Sequence, residues 1–176
     1  MPATLDTGTR SQELFWSKLT QLKFDLNYYH QHFANCVTIS RWIRFGIVAV
    51  TAGISGAWMT WPDVPWIRFI SPAVVLALQI FNATLEVLPY EKRKQDLREL
   101  TNLLEPVYTD METDWNLIAD GQYTSRDIAQ KTTLYEKKRQ DIQQHYLKDD
   151  VLPNRKAFVK KAEEDTSAYF ASLFGN

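Results

Sequence analysis

The chain has 176 residues, a formal net charge of −1 and one cysteine, so it is long enough for one ordinary domain and too short for two. The near-neutral charge, without a basic stripe interleaved with aromatic residues, argues against nucleic-acid binding. A lone cysteine excludes an internal disulfide, which fits a reducing compartment. The first residues are polar, so no cleaved signal peptide is predicted, and an apolar segment would itself have to direct any membrane insertion.

The N-terminal part of the chain reads as a tail followed by a helix. Residues 1–10 are polar and aperiodic, which predicts a flexible tail. Residues 11–39 repeat apolar side chains every three to five positions, which is typical of an amphipathic helix. These side chains are Leu14, Leu19, Leu22, Leu26, Tyr29 and Phe33. Because no proline or glycine lies between Ser11 and Gly46, this pre-membrane helix is predicted to continue into the apolar segment that follows.

Two apolar segments, residues 42–61 and 66–88, are joined by a turn that contains two prolines. Each approaches the length of about 20 residues that a transmembrane helix needs, so residues 40–88 are predicted to form a transmembrane hairpin. Three tryptophans surround the turn, as expected of an aromatic belt at a membrane–water interface: Trp58, Trp61 and Trp66. A soluble bundle with a buried helical hairpin remains the alternative.

Basic residues flank the hairpin on one side. Arg41 and Arg44 precede the first span, a basic group from Lys92 to Arg98 follows the second, and the turn region offers only Arg68. The positive-inside rule therefore predicts a multi-pass membrane protein, with both termini in the cytoplasm and the lipid bilayer as its partner.

Residues 89–176 are predicted to form a cytoplasmic helical domain together with the pre-membrane helix, which makes the fold all-α. The first helix of this region has one apolar face: Leu97, Leu100, Leu104, Tyr108, Met111, Trp115 and Ile118. Pro106 is predicted to bend this helix, and Asp120 with Gly121 to end it.

A second helix is predicted to begin with a capping box of Thr124 and Asp127, and a last one near Pro153. The apolar positions of these two helices are Ile128, Tyr135, Ile142 and Tyr146, then Phe158, Ala162 and Phe170.

No catalytic constellation is present in the sequence. His30 and His32 point to different helix faces, and His145 has no second ligand at metal-binding spacing. The acidic group Asp110, Glu112 and Asp114 is interpreted as a solvated helix face. We therefore expect neither enzymatic activity nor a metal or cofactor.

The faces of the two spans carry more information. On the first span, the small residues Gly46, Ala49, Gly53 and Ala57 share one face, a pattern that lets transmembrane helices pack closely. On the second span, Ser71, Gln79, Asn82 and Glu86 form a polar stripe. Because polar groups are disfavoured in lipid, the stripe must face protein or water.

Two interpretations of the stripe stay open. In the first, the stripe makes hydrogen bonds across a helix interface, with an ion pair between Arg44 and Glu86. In the second, the stripe lines a pathway in an assembly of several hairpins. A second face on the first span, Arg44, Thr51 and Ser55, cannot be used within one hairpin at the same time as the small residues. This predicts a homo-oligomer.

The layout resembles the SLATT families, bacterial effectors with two transmembrane helices. The resemblance begins at FDLNYYHQHF, includes the hairpin and continues through EKRKQDLRELTNLLEPVYTDMETDWNLIADGQYTSRDI. It implies an inner-membrane effector of a conflict or defence system that forms a pore or depolarises the membrane, triggered by a separate sensor or signalling partner. The alternative is a membrane-anchored helical scaffold that binds a cytoplasmic partner.

Overall fold

The structure, a computed structural model, describes residues 7–60, 73–74, 76–80, 89–147 and 152–174. Its long helices are α1 (Thr7–Thr60), α2 (Pro89–Ala119), α3 (Ser125–Tyr146) and α4 (Lys156–Phe174), and residues 73–74 and 76–80 are also helical. The described part of the chain contains no strand, which confirms the all-α prediction. The chain divides into unit 1, Met1–His32 with Asp96–Asn176, and unit 2, Phe33–Gln95.

Helix α1 is 54 residues long and confirms the predicted continuity between the amphipathic helix and the first apolar segment. It begins at Thr7, so part of the predicted tail is helical, while residues 1–6 lie outside the described residues. The buried stripe starts at Phe15, which is fully buried, whereas Leu14 is 52% exposed. The prediction for Leu14 was wrong because Phe15, four residues before Leu19, lies in register with the stripe.

The core of unit 1 is formed where α1, α2 and α3 meet. The apolar face predicted for α2 is confirmed, with Trp115 only partly buried. Phe15 stacks on Trp115 with ring centroids 6.2 Å apart and meets Tyr135 of α3 edge to face. The largest fully buried side chains are Phe15, Leu19, Leu22, Leu97, Leu100, Leu104, Met111, Ile118 and Ile128. Burial of each such side chain contributes roughly 1.5–3 kcal/mol, so this core holds the helices together.

Contacts along α1 give the directions of its neighbours. Toward α3, Asp25 contacts Arg139 and, four residues on, the Tyr29 hydroxyl accepts from Gln143, so these helices run parallel. Helix α4 runs antiparallel to α1, because later residues of α1 contact earlier residues of α4. The pairs are Trp16 with Phe170, Asn27 with Thr166, and His32 with Phe158. Helix α2 is also antiparallel to α1, since Phe15 contacts Trp115 and the later His30 contacts the earlier Glu105. Unit 1 is therefore an up-and-down helical bundle.

The signals predicted at the α2–α3 connection are confirmed. Helix α2 continues through Pro106 and ends at Ala119. Gly121 has φ +75°, its amide bonds Ile118, and the Gln122 amide bonds Leu117, which is a Schellman ending.

Helix α3 then begins with the predicted capping box. The Thr124 side chain accepts from the Asp127 amide, and the Asp127 carboxylate accepts from the Thr124 amide. Local sequence thus fixes how tightly α2 and α3 are joined.

Unit 2 contains α1 from Phe33 onward, the helical residues 73–74 and 76–80, and the start of α2. Cys36, the single cysteine of the chain, is buried. The hydroxyls of Thr38 and Thr51 donate to the carbonyls of Ala34 and Ile47, each 2.8 Å away on the preceding turn. The predicted turn of the hairpin lies outside the described residues.

Candidate functional site

The part of α1 in unit 2 carries large apolar side chains that are exposed. They are Trp42, Phe45, Val48 and Val50, between 46% and 67% exposed, and we refer to them as the exposed apolar surface. Among the described helices, α1 over Gly8–Gly53 is the one that is long and apolar enough to cross a membrane. Only 6% of its apolar stretch is buried. Monomeric soluble proteins rarely expose contiguous apolar surface of this kind, which makes it a candidate interaction site.

The predicted packing face of the first span is open. Gly46, Ala49 and Gly53 are exposed, and a Cβ atom added at either glycine would meet no atom within 4 Å. Ala57 lies within α1, but its side chain is outside what the structure describes. The described small residues therefore leave room for the close approach of another helix.

Most of the predicted polar stripe lies outside the described residues, including Ser71, Asn82 and Glu86. Gln79 is described and exposed, close to the exposed side chains of Leu76 and Ile80 along the chain. In the predicted tryptophan belt, Trp58 belongs to α1, and Trp61 and Trp66 are not described.

Arg44 contacts a carboxylate at the start of α2, and the predicted ion pair with Glu86 stays a prediction. Its Nη2 lies 3.5 Å from Oε1 of Glu91, while Glu86 falls outside the described residues. The Ser40 hydroxyl donates to the same oxygen at 2.5 Å, and the Lys94 ammonium bonds Oε2. The hydrogen bond from Lys94 is the main reason why the pKa of Glu91 lies below its usual value, and Ser40 acts in the same direction. Glu91 thus ties the start of α2 to α1 within unit 2.

In unit 1, the acidic group of α2 is not a solvated face, and that interpretation was wrong. Asp114 is buried, and its carboxylate accepts hydrogen bonds from Tyr135 at 2.7 Å and Tyr123 at 3.1 Å, with Lys131 at 2.8 Å. Burial alone would raise the pKa of Asp114, but the bonds from Lys131 and Tyr135 outweigh it and hold the pKa low. Only Asp110 is exposed as expected.

The neighbouring Glu112 binds two tyrosines from different helices. Tyr108 and Tyr169 both donate to its Oε1, at 2.9 and 2.5 Å. The Lys23 ammonium lies 3.7 Å from the ring centroid of Tyr169 and 4.7 Å from that of Tyr108. Burial lowers the pKa of Lys23 and raises that of Tyr108. This cluster links α1, α2 and α4 through polar contacts.

A third polar cluster joins α1 to α3. Asp25 accepts from Arg139 at 2.9 Å and from Gln143 at 3.3 Å, and Gln143 also donates to the Tyr29 hydroxyl at 2.9 Å. Burial raises the pKa of Asp25, and Arg139 offsets part of that rise. Each of the three acids, Asp114, Glu112 and Asp25, accepts a hydrogen bond from a side chain of another helix.

The histidines are placed as their spacing predicted. His30 is half exposed near Glu105, whereas His32 is buried between the rings of Tyr28 and Phe158. Within the described residues, no three His, Cys, Asp or Glu side chains are grouped to hold a metal ion.

An open groove of about 710 Å³ lies between α1 and α4 in unit 1. Its lining combines two aromatic rings with hydroxyl and amide groups: Trp16, Ser17, Thr20, Gln21, Phe24, Glu163, Thr166 and Ser167. The chain matches no protein-family model, no curated protein sequence and no solved structure.

Proposed function

We propose that the chain is a self-associating protein of the bacterial inner membrane that permeabilises or depolarises the membrane when a partner triggers it. The exposed apolar surface of α1 is the observation that carries the proposal, since its tryptophan, phenylalanine and valine side chains are 46% to 67% exposed. In lipid, each phenylalanine or valine near the centre of a span contributes about −0.3 to −0.6 kcal/mol to insertion. In water, the same side chains would favour aggregation.

The membrane arrangement in the proposal is the hairpin over residues 40–88, with both termini in the cytoplasm. Thr51 supports it, because its hydroxyl is satisfied by the Ile47 carbonyl of its own helix and needs no partner in lipid. Arg41 and Arg44 lie at the start of the exposed apolar surface, where the positive-inside rule favours the cytoplasmic side.

Self-association would use the small-residue face of the first span. The open space around Gly46 and Gly53 accommodates a neighbouring helix at close range. We expect Gly46→Ile with Gly53→Ile to abolish energy transfer between labelled copies in membranes. Val48→Ile with Val50→Ile adds bulk at two other exposed positions and is expected to leave energy transfer unchanged. Equal transfer in both variants would remove this interface from the proposal.

The permeation step assigns the polar stripe of the second span to the lumen of the assembly. Expression in bacteria is expected to depolarise the membrane, as followed with a voltage-sensitive dye, and Gln79→Leu/Asn82→Leu/Glu86→Leu is expected to abolish the effect. Glu99→Leu/Asn102→Leu/Gln130→Leu makes the same chemical changes at exposed positions of unit 1 and serves as the matched control. Depolarisation that survives loss of the stripe would refute the pore.

A membrane-anchored scaffold is the second candidate, favoured by the groove between α1 and α4. Trp115 and Tyr135 contact Phe15 of α1, so a partner would bind elsewhere on unit 1. The groove offers Trp16 and Phe24 beside hydroxyl groups. Replacing residues 40–88 by an unrelated transmembrane hairpin separates the candidates, because a scaffold keeps its activity and a pore loses it.

A further inference from the structure

Positive charges from two helices converge on one carboxylate in unit 2. Ser40 and Arg44 of α1 both reach Oε1 of Glu91, and Lys94 of α2 bonds Oε2. These contacts place the turn of α1 that carries Arg41 beside the start of α2. The basic residues carried by these two turns are Arg41, Arg44, Lys92, Arg93 and Lys94, which we name the basic patch.

The basic patch contains more basic than acidic side chains. Even with Arg93 left aside, four basic side chains accompany Glu91, which is the one carboxylate among the described residues of unit 2. Arg41, Arg44 and Lys92 are exposed, whereas Lys94 is held by Glu91. An arrangement of this kind attracts an anion, and Arg44 provides a planar group that matches phosphate oxygens.

Apolar side chains adjoin the charges. Trp42 follows Arg41, Phe45 follows Arg44, and both rings are more than 60% exposed. A free phosphate would use only the charges, whereas a phospholipid would place its headgroup on the basic side chains and its acyl chains against the rings. Charge and apolar exposure together therefore favour a lipid over a soluble anion.

We propose that the basic patch binds the headgroup of an anionic phospholipid, with Arg41, Arg44 and Lys92 as its contacts and Glu91 as the residue that positions the two helices. The proposal rests on the proposed function, because it takes the exposed apolar surface to lie in the bilayer. It goes beyond orientation of the hairpin, which depends on the number of basic residues and not on a preference for one lipid.

The test uses the full chain reconstituted into phosphatidylcholine vesicles that contain either brominated phosphatidylglycerol or brominated phosphatidylcholine. Bromine quenches tryptophan fluorescence at short range, and Trp42 adjoins the patch. Because the chain has six tryptophans, a parallel series with Trp42→Phe isolates the contribution of Trp42. We expect the brominated anionic lipid to quench Trp42 more strongly at equal content.

The variant Arg41→Gln/Arg44→Gln/Lys92→Gln leaves Glu91 and Lys94 in place and so keeps the contact between the helices. Each basic residue near an anionic surface strengthens the attraction by about fivefold, so the preference is expected to fall at least about fivefold. The control Lys137→Gln/Lys156→Gln/Lys161→Gln removes three charges from exposed positions of unit 1 and should keep the preference.

Three results would overturn the site: no preference in the wild-type chain, equal loss in both variants, or loss when inorganic phosphate is added at constant ionic strength. The last would assign the patch to a soluble anion. Resistance to carbonate extraction and the dye assay are measured on the same proteins. A chain that inserts and depolarises without lipid preference refutes only this site, whereas a chain that never inserts refutes the proposed function as well.

Discussion

The buried carboxylate of Asp114 offers the sharpest test of how unit 1 is held together. Two tyrosine hydroxyls and one ammonium group converge on it, and the Tyr135 hydroxyl comes from the next helix. We expect Asp114→Ala to destabilise unit 1 by about 2–3 kcal/mol, and the separate contributions follow from the exposure of each donor.

Loss of the acceptor leaves the hydroxyl of the buried Tyr135 unsatisfied, which costs about 1–3 kcal/mol. The Lys131 side chain is 36% exposed and regains water, so its pair contributes less than about 1 kcal/mol. Loss of the hydrogen bond from the half-buried Tyr123 adds about 0.5–1 kcal/mol to the destabilisation. The better helix propensity of alanine offsets about 0.6 kcal/mol of it. For a domain of roughly 100 residues, the sum lowers the unfolding midpoint by about 10 °C.

The assay is thermal unfolding of the full chain in mild detergent, followed by tryptophan fluorescence, since Trp16 and Trp115 contact each other in unit 1 with centroids 4.9 Å apart. Asp110→Ala makes the same change at an exposed position one turn earlier and should shift the midpoint by less than about 2 °C. In a double-mutant cycle, Tyr135→Phe should recover about 1 kcal/mol of the loss. Equal shifts for both aspartates, or no coupling to Tyr135, would refute the reasoning.

Three further outcomes test the α2–α3 region. Thr124→Ala removes the cap of α3 and is expected to cost about 1 kcal/mol in thermal unfolding, whereas Thr133→Ala, at an exposed position within α3, should change little. Gly121→Ala places a Cβ at φ +75° and is expected to cost about 1–2 kcal/mol. Because the pKa of Asp114 is lowered, its ionisation stabilises unit 1 above about pH 4, and acid unfolding curves should show that advantage over Asp114→Asn disappear as pH falls through the folded pKa.

Features that depend on neighbouring residues were predictable from the sequence. The capping box of Thr124 and Asp127 and the ending at Gly121 involve residues a few positions apart, and both are confirmed. The apolar face of α2 follows from the helical repeat in the same way. The helical repeat could also have predicted that Asp114 is buried. Asp114 lies three residues after Met111 and four before Ile118, on the buried stripe of α2.

Contacts between distant residues were not predictable in this way. Glu91 meets Lys94 three positions away, which a helical repeat allows, but it meets Ser40 and Arg44 across about 50 residues. Which side chains meet at that distance depends on how two helices lie side by side, and periodicity carries no information about this. The pairing of Asp25 with Arg139 has the same origin.

A change of pattern along α1 carries the strongest argument about its surroundings. Phe15, Leu19 and Leu22 form one stripe, and that stripe is buried by other helices. Between Trp42 and Val50, apolar residues spread over most of the helix circumference, and Trp42, Phe45, Val48 and Val50 are exposed. A stripe needs one apolar neighbour, whereas a helix that is apolar over most of its surface needs an apolar environment. Both proposed functions therefore share the membrane step and differ only in whether the hairpin does more than anchor unit 1, which makes the hairpin exchange the decisive experiment.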